Sequence, residues 1–225
     1  MKTVVIVSGG LDSVTLAYHL AQKGHKLDIL SFSYGQRHVK ELSFARVCAE
    51  RLGVNFDLVD LSSVGRLLTG SALTDPTLAM PEGHYAAPNM RLTVVPNRNA
   101  IMLAVAFGVA VARNAEAVAT AVHAGDHFIY PDCRPEFISA FDAMQRLAVA
   151  GFGSPNLHLD APFVNISKAD IVSIGDACGV PFTDTWSCYS GRDVHCGKCG
   201  TCVERKEAFL LAGIFDPTVY ADGVS

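Results

Sequence analysis

The chain has 225 residues, of which 50% are hydrophobic and 18% are charged, and its formal net charge is −4. This length suits one medium domain with a buried core, and this composition excludes a disordered chain and one that needs disulfides to fold. Lysines and arginines form no run that would grip a phosphate backbone, so we expect no nucleic-acid partner.

The hydrophobic segments predict no membrane partner. The longest of them, residues 100–112, is well short of the roughly 20 residues that span a bilayer and predicts a buried helix. The first residues, MKTVVIV, run directly into a strand pattern without the small-residue cleavage site of a signal peptide. We therefore expect a cytoplasmic protein whose thiols stay reduced.

The first third of the chain alternates strand and helix patterns. Residues 4–7 are a β-branched run, typical of a strand buried on both faces, and residues 11–22 have helical apolar spacing that ends near Gly24. A strand, a helix and a further strand follow at 27–32, 39–52 and 56–61. The alternation predicts an α/β fold, a doubly wound parallel sheet with helices on both faces.

The rest of the chain is less regular. Residues 63–95 are rich in proline and glycine and predict a long surface excursion. Further helices are predicted at 97–113, 135–150, 168–178 and 203–211, and a short strand at 117–121. Because the composition shifts to Cys, Gly, Ser and Arg near residue 185, we expect a nucleotide-binding and substrate domain at 1–184. A metal-binding segment with a C-terminal helix, 185–225, would pack on it as one unit.

The turn between the first strand and the first helix reads Ser8, Gly9, Gly10, Leu11, Asp12, Ser13. Ligands bind beyond the carboxyl ends of parallel strands, glycines allow close backbone approach, and N–H groups at a helix start face an anion. The turn matches neither G-x-x-x-x-G-K-[ST] nor G-x-G-x-x-G. An ordinary turn, with Asp12 or Ser13 complementing the helix dipole, explains the pattern about equally well.

Four cysteines crowd together near the C-terminus, and their spacing is C-x7-C-x2-C-x2-C: Cys188, Cys196, Cys199 and Cys202. Four thiolates close a tetrahedral zinc site and leave no open position, so this spacing favours a structural zinc ion. An iron–sulfur cluster is the alternative, because two-residue gaps also suit a cubane. His195 beside the cluster is expected to support a ligand or to be exposed.

The turn SGGLDS resembles the loop of the ATP pyrophosphatase (PP-loop) superfamily, which has an adenine nucleotide alpha-hydrolase-like fold and adenylates substrates with release of pyrophosphate. Further blocks, in the order SFSYGQRHVKE, VPNRNAIMLAVA, YPDCRPEF, KADIVSIG, TWSCYSG and HCGKCGTCVERKEAF, resemble the 7-cyano-7-deazaguanine synthases. The resemblance covers essentially the whole chain. The chain departs from that pattern before YPDCR, where many members carry Ser-Gly and it has GDHFI, and in VPNRN, where VPGRN is commoner.

The resemblance implies an ATP-dependent ligase that forms C–N bonds. Such an enzyme converts 7-carboxy-7-deazaguanine and ammonia into 7-cyano-7-deazaguanine, through an adenylated carboxylate and an amide, in queuosine biosynthesis. It also implies one structural Zn²⁺ per chain, ATP as co-substrate, Mg²⁺ on the phosphates and a homodimer.

Residue roles follow from the resemblance as expectations. The catalytic residues are expected to be Asp12, Arg98 and Lys168. ATP is expected to contact the turn residues Ser8, Gly9, Gly10, Leu11, Asp12 and Ser13, and its adenosine is expected to contact the backbone of Leu30, Ser31, Phe32 and Ser33. The substrate is expected to contact Gln36, Arg37, Arg98, Asp132 and Arg134. Asp132 would equally well cap the helix that begins at Pro135, and Cys133 is expected to be a packed thiol because adenylation needs no covalent catalyst.

Two other functions compete with this one. A PP-loop enzyme acting on RNA, such as a thiouridylase, would need a basic face and a reactive cysteine or sulfide-binding cluster, and the net charge of −4 disfavours it. A non-catalytic zinc-ribbon interaction module would leave the cationic residues outside the ribbon without a role.

Overall fold

The computed structural model describes residues 1–84, 88–221 and 223. Its centre is a five-stranded sheet with the order β3-β2-β1-β4-β5, and all neighbouring strands are parallel. The strands are β1 (Lys2–Ile6), β2 (Lys26–Ser33), β3 (Asn55–Asp60), β4 (Ala117–Ala119) and β5 (His158–Asp160). The chain winds outward from β1 to β3 and then crosses to β4 and β5, so the predicted doubly wound α/β fold is confirmed.

Helices cover both faces of the sheet because residues along the central strand alternate between two cores. Val4 belongs to the core under α4 and α5, whereas Val5 and Val7 belong to the core under α1, α2, α6 and α7. The helices are α1 (Leu11–Gln22), α2 (Glu41–Leu52), α3 (Ser62–Gly65), α4 (Arg98–Ala112), α5 (Pro135–Ala148), α6 (Lys168–Ala177) and α7 (Gly200–Ala212).

Several elements differ from the sequence predictions, among them the short helix α3, which was not predicted, and the two that follow. The edge strand β5 was not predicted, because Leu159 is its one apolar residue and so gives no strand pattern. Helix α7 begins at Gly200, three residues before the predicted start, because Cys199 has extended backbone dihedrals and serves as its N-cap. The last two cysteines of the cluster therefore lie at the start of α7.

The predicted excursion, residues 63–95, packs more closely on the sheet than its composition suggests. Leu73 and Met90 are fully buried in the core under α4, and a 3₁₀ turn, Pro88–Thr93, leads back to the sheet. A Cβ at Gly65 would overlap the carbonyl oxygen of Tyr34, so this glycine permits close approach to the end of β2. Part of the excursion, residues 85–87, lies outside the described residues.

None of the helices in the part of the chain that the structure describes is long and apolar enough to cross a membrane.

Candidate active site and cysteine cluster

The SGGLDS turn connects β1 to α1 at the carboxyl edge of the sheet. Gly10 is the N-cap of α1, and its carbonyl accepts the first helical hydrogen bond, from the N–H of Val14 at 3.0 Å. The Ser13 hydroxyl lies 3.2 Å from the Ser8 hydroxyl and 3.2 Å from the carbonyl of Gly10. These bonds fix the turn, while the N–H groups of the first helical turn, which a helix cannot satisfy internally, remain for a ligand.

Gly9 is required by the packing of this turn. Its φ is +95°, and a Cβ there would overlap the carbonyl oxygen of Glu41 and lie 2.8 Å from the backbone nitrogen of Ala45. The turn is thus held directly against the first turn of α2.

Beside the turn, Lys168 at the start of α6 lies between two carboxylates. Its Nζ is 3.1 Å from Oδ2 of Asp12 and 2.6 Å from Oε2 of Glu204 in α7. Burial would raise the pKa of Asp12, but the positive charge of Lys168 and the hydrogen bond from its Nζ help to outweigh burial and lower that pKa. Oδ1 of Asp12 is buried, and no described residue forms a hydrogen bond with it.

His123, just beyond β4, adds a further polar group to this cluster. Its Nδ1 accepts a hydrogen bond from the N–H of Gly125 at 3.1 Å, so a neutral ring carries its proton on Nε2. That Nε2 lies 4.0 Å from Asp12, 3.7 Å from Asp126 and 4.0 Å from Glu204. The ring therefore offers an N–H donor to the carboxylates around Lys168.

A second cation, Arg98, lines the same pocket. Its Nη1 donates to the Tyr34 hydroxyl at 3.3 Å, and the guanidinium lies 5.7 Å and 5.9 Å from the ring centroids of Tyr34 and Tyr130. No carboxylate of the described residues lies within 4 Å of it, in contrast to Lys168. Arg98 is therefore available to an anionic ligand.

The structure brings most of the expected catalytic and turn residues to one pocket. Some of the expected ATP contacts do not line it. Those that line it are Ser8, Gly10, Asp12, Ser13, Phe32, Arg98 and Lys168. Leu11 and Leu30 are core residues, and the Ser31 hydroxyl donates to the carbonyl of Val7. These three side chains lie in the protein interior and do not line the pocket. Ser33 pairs with Asp60 of β3.

Four of the expected substrate contacts do not line the pocket: Gln36, Arg37, Asp132 and Arg134. The buried Gln36 bonds to the backbone of Phe32 and Tyr34, and Arg37 donates to the carbonyls of Ala72 and Leu78. Arg134 is exposed and donates to the carbonyl of His127 at 2.9 Å.

Asp132 does cap a helix, but it is α4 and not α5 that it caps. Its Oδ2 accepts from the backbone N–H of Asn99 at 3.1 Å, whereas α5 has no side-chain cap. The sequence suggested a cap on the helix at Pro135 because Asp132 comes just before that helix. It gave no signal for α4, because Asn99 and Asp132 are distant in the chain and meet only in the fold. Cys133 is buried in the pocket wall, and burial raises the pKa of its thiol, as expected of a packed residue.

Sequence reasoning missed several pocket residues. They are Tyr34, Glu41, Tyr130, Tyr189 and Thr201, together with the adjacent His123 and Glu204. His123 had a usable signal, since it comes shortly after β4, and side chains beyond the carboxyl end of a parallel strand face the ligand. Asp126 lies in the segment where the chain departs from the pattern of the family it resembles.

The four clustered cysteines converge. Their Sγ atoms all lie within 4.8 Å of one another, with Cys196 and Cys202 at 3.9 Å and Cys199 and Cys202 at 3.5 Å. Backbone N–H groups of Ser190 and Cys196 point at Sγ of Cys188, at 3.4 Å and 3.3 Å, as donors to a thiolate would. The group has the donors and the spacing to hold one metal ion.

His195 is buried and not exposed, and it does not join the cysteine group. Its Nε2 accepts from the backbone N–H of Ser187 at 3.1 Å, and its ring lies 4.3 Å from the Trp186 ring and 5.8 Å from the Tyr220 ring. It therefore supports the segment that carries Cys188.

The cysteine segment touches the SGGLDS turn. Fully buried Arg205 in α7 bonds to the Thr185 hydroxyl at 2.8 Å, to the carbonyl of Phe182 at 3.1 Å and to Asp216 at 3.3 Å. These bonds fix the strand-like stretch in which the backbone N–H of Trp186 donates to the carbonyl of Gly9 at 2.8 Å. The segment thus shapes the pocket as well as the C-terminus.

Comparisons with known proteins agree with this architecture. The family model for queuosine biosynthesis protein QueC matches residues 2–213. The chain is 64% identical to 7-cyano-7-deazaguanine synthase of Ruegeria sp. (strain TM1040), over 99% of this chain and 94% of the relative. It is 63% identical to the enzyme of that name from Rhizobium meliloti (strain 1021), over 99% and 93%.

A likeness among solved structures supports the fold alone. NMN synthetase from Francisella tularensis has a TM-score of 0.50 and 16% identity, over 98% of this chain and 79% of that chain. The resemblance found in the sequence is confirmed by the family model and the close relatives. The chain belongs to the QueC family of 7-cyano-7-deazaguanine synthases.

Proposed function

We propose that this enzyme converts 7-carboxy-7-deazaguanine and ammonia into 7-cyano-7-deazaguanine with ATP, in queuosine biosynthesis. The observation that carries this proposal is the pairing of two unlike cations in one pocket. Lys168 lies beside the SGGLDS turn between two carboxylates, whereas Arg98 has no carboxylate partner among the described residues. A reaction that joins a nucleotide phosphate to a substrate carboxylate needs one positive group for each anion.

The chemistry explains why ATP is needed. Ammonia does not displace oxide from a carboxylate, so a better leaving group must be formed. The carboxylate oxygen attacks the α-phosphorus, the bond to the β-phosphate oxygen breaks, and pyrophosphate leaves. Ammonia then adds to the acyl-adenylate and displaces AMP, which gives an amide and releases a proton. A second adenylation, through the amide oxygen, lets that oxygen leave with AMP as the nitrile forms.

The residues around the turn have complementary tasks in this proposal. Ser8, Gly10 and Ser13 hold the pyrophosphate group, and Lys168 stabilises charge on the α-phosphate. The backbone at the end of β2, near Phe32, contacts adenosine. Arg98 binds the substrate carboxylate and orients it for attack. These tasks are positioning and charge stabilisation, which are the main contributions of proteins to phosphate chemistry.

Magnesium fits the same place. Mg²⁺ prefers carboxylate and phosphate oxygens, and Oδ1 of Asp12 is a buried acceptor with no described hydrogen-bond partner. We propose that Asp12 holds the ion and that the ion neutralises phosphate charge. Lys168 also offsets the charge of this carboxylate, with Nζ 3.1 Å from Oδ2.

The cysteine group is proposed to hold one structural zinc ion. A tetrahedral site with Zn–S bonds of about 2.3 Å places its sulfurs about 3.8 Å apart. Two of the sulfur pairs lie 3.9 Å and 3.5 Å apart, and all four sulfurs lie within 4.8 Å of one another, which supports this assignment. An iron–sulfur cluster binds each thiolate to a different iron and would need wider spacing. We further propose that the segment 185–225 packs with residues 1–184 as one unit, and that the enzyme is a cytoplasmic homodimer without a nucleic-acid partner.

The proposal is tested by incubating the purified protein with ATP, Mg²⁺ and ammonia, with and without 7-carboxy-7-deazaguanine. We expect ATP consumption only with that substrate and a nitrile product detected by mass spectrometry. Unmodified transfer RNA in place of the substrate is the control for an RNA-modifying PP-loop enzyme. Absence of nitrile, or ATP consumption that follows the RNA, would overturn the proposal.

A further inference from the structure

Glu41 is a buried acid in the pocket to which the proposed chemistry gives no task. It begins α2, is 9% exposed, and lines the pocket with Tyr34 and Arg98. No described lysine or arginine lies within 4 Å of its carboxyl group; the nearest basic group is Nε2 of His38, 3.4 Å from Oε1. A buried acid without a cationic partner is costly to a fold, which indicates a role in binding.

A hydrogen-bonded support fixes the position of this carboxyl group. Gln36 donates from Nε2 to Oε1 of Glu41 at 3.2 Å. Gln36 is itself fixed, because it accepts from the backbone N–H of Tyr34 at 2.9 Å and donates to the carbonyl of Phe32 at 3.1 Å. The support uses one oxygen of Glu41, and no described residue forms a hydrogen bond with the other, Oε2.

Glu41 shares a wall with Arg98, although the two do not form an ion pair. Tyr34 joins them, since its hydroxyl accepts from Arg98 at 3.3 Å and its backbone N–H donates to Gln36. A guanidinium and a carboxyl group that face one pocket and are held apart suit a ligand with an anionic group at one end and N–H donors at the other.

Resting on the proposed function, we infer that Glu41 is the specificity-determining residue that binds the paired N–H donors of the deazaguanine, its ring N1–H and its 2-amino group. A carboxylate accepts two parallel N–H bonds, which is the geometry of that edge. Arg98 takes the carboxylate at the other end of the substrate, and Gln36 is a positioning residue for Glu41.

Binding in this way requires the ionised form of Glu41. Burial raises its pKa to about 8, although the hydrogen bond from Gln36 and the charge of Arg98 favour ionisation. His38 is the other titratable group facing it, and burial lowers the pKa of His38 to about 3, so that ring stays neutral. When the base binds near neutral pH, the proton of Glu41 is released to solvent.

The adenine of ATP is the other base that the pocket receives, and it would need the protonated form of Glu41. Its edge offers an N–H donor beside a ring-nitrogen acceptor, so it would pair with a protonated carboxyl group and release no proton. The shared wall with Arg98 favours the deazaguanine, and the KM for ATP distinguishes the two.

The test compares the wild type with Glu41→Gln and with Glu50→Gln, which removes an exposed carboxylate from the same helix. The substrates are 7-carboxy-7-deazaguanine and 7-carboxy-7-deazahypoxanthine, which lacks the 2-amino group. We expect the wild type and Glu50→Gln to prefer the first substrate by about 100-fold or more in kcat/KM. We expect Glu41→Gln to lose about 100-fold on the first substrate, mainly through KM, with the second substrate and the KM for ATP nearly unchanged.

An equal loss on both substrates, or a raised KM for ATP, would overturn the inference. A calorimetric measurement on the wild type covers the case in which the variant does not fold. At pH 7, 7-deazaguanine should bind at least tenfold more tightly than 7-deazahypoxanthine and release about one proton per molecule bound. Equal affinities, or no proton release, would refute the role of Glu41. If the wild type forms no nitrile but shows this preference, the proposed function fails while the assignment of Glu41 stands.

Discussion

The backbone N–H of Trp186 donates a 2.8 Å hydrogen bond to the carbonyl of Gly9. Trp186 lies two residues before the first cysteine of the cluster, and Gly9 is in the turn proposed to hold pyrophosphate. This bond joins two sites that are far apart in the sequence. It implies that the cysteine cluster and the SGGLDS turn are structurally coupled.

Loss of a cluster cysteine should therefore weaken nucleotide binding as well as stability. We expect Cys199→Ser to lose its metal, to unfold several degrees below the wild type, and to bind ATP at least tenfold more weakly, because the Trp186 stretch is no longer fixed. Metal content by mass spectrometry, thermal denaturation and calorimetric ATP titration measure these changes. Cys178→Ser, outside the cluster, is the control and should change none of them. ATP affinity that is insensitive to metal loss would show that the sites are not coupled.

Gly9→Ala should destabilise the protein more than a positive φ alone explains. The added Cβ overlaps the carbonyl of Glu41, so the turn and α2 must move apart, and we expect both turnover and ATP binding to be lost. Gly24→Ala is a matched control, because Gly24 has φ of +80° but nothing within 4 Å of an added Cβ. That control should cost about 1 kcal/mol in the free energy of unfolding. Equal effects of the two variants would contradict the steric interpretation.

Lys168→Met should lower kcat by about 100-fold or more, since removal of one group that stabilises transition-state charge has that effect. The substitution also leaves the carboxylates of Asp12 and Glu204 without their shared cation, so a lower melting temperature is expected as well. Steady-state kinetics and thermal denaturation measure the two effects. Lys23→Met, at an exposed position, is the control. Near-normal kcat in a folded Lys168→Met enzyme would remove Lys168 from the mechanism.

The stability of the unliganded protein should depend on pH through Glu41. Burial raises the pKa of its carboxyl from 4.5 to about 8, so between these values the folded state holds a proton that the unfolded state releases. The free energy of unfolding should therefore fall as pH rises through this range, by up to about 1.4 kcal/mol per pH unit. Glutamine does not titrate, so the difference between the wild type and Glu41→Gln isolates this effect in denaturant unfolding curves. A difference that is constant with pH would mean that Glu41 ionises normally.

The sequence was sufficient for the regular parts of this fold. Helix α1 was predicted with its observed bounds, because its apolar spacing and the glycine after it are local signals. The edge strand β5 was missed, since three residues with one apolar side chain become a strand only by pairing with β4. The same distinction applies to the cysteine cluster, whose spacing is a local signal, and to the hydrogen bond from Trp186 to Gly9, which no local signal predicts.

The sequence identified pocket residues that lie in contiguous motifs. It did not identify the contacts that folding creates between distant segments. Asp12 and Lys168 were predicted individually, but their contact joins α1 to α6 and has no sequence signal. Asp132 was expected at the substrate or at α5, yet it caps α4, because the chain returns to that helix from a distant segment. Gln36 was expected to touch the substrate, whereas its hydrogen bonds are to the backbone of Phe32 and Tyr34 and to Glu41.

In the proposed reaction, the substrate carboxylate is adenylated at the α-phosphorus of ATP. This adenylation is tested most directly with 7-carboxy-7-deazaguanine whose carboxylate carries ¹⁸O in both positions, followed by mass spectrometry of the nucleotide products. Our account predicts AMP that contains one ¹⁸O, two such AMP molecules for each nitrile formed, and unlabelled pyrophosphate. Unlabelled AMP, or ADP with labelled phosphate, would contradict it.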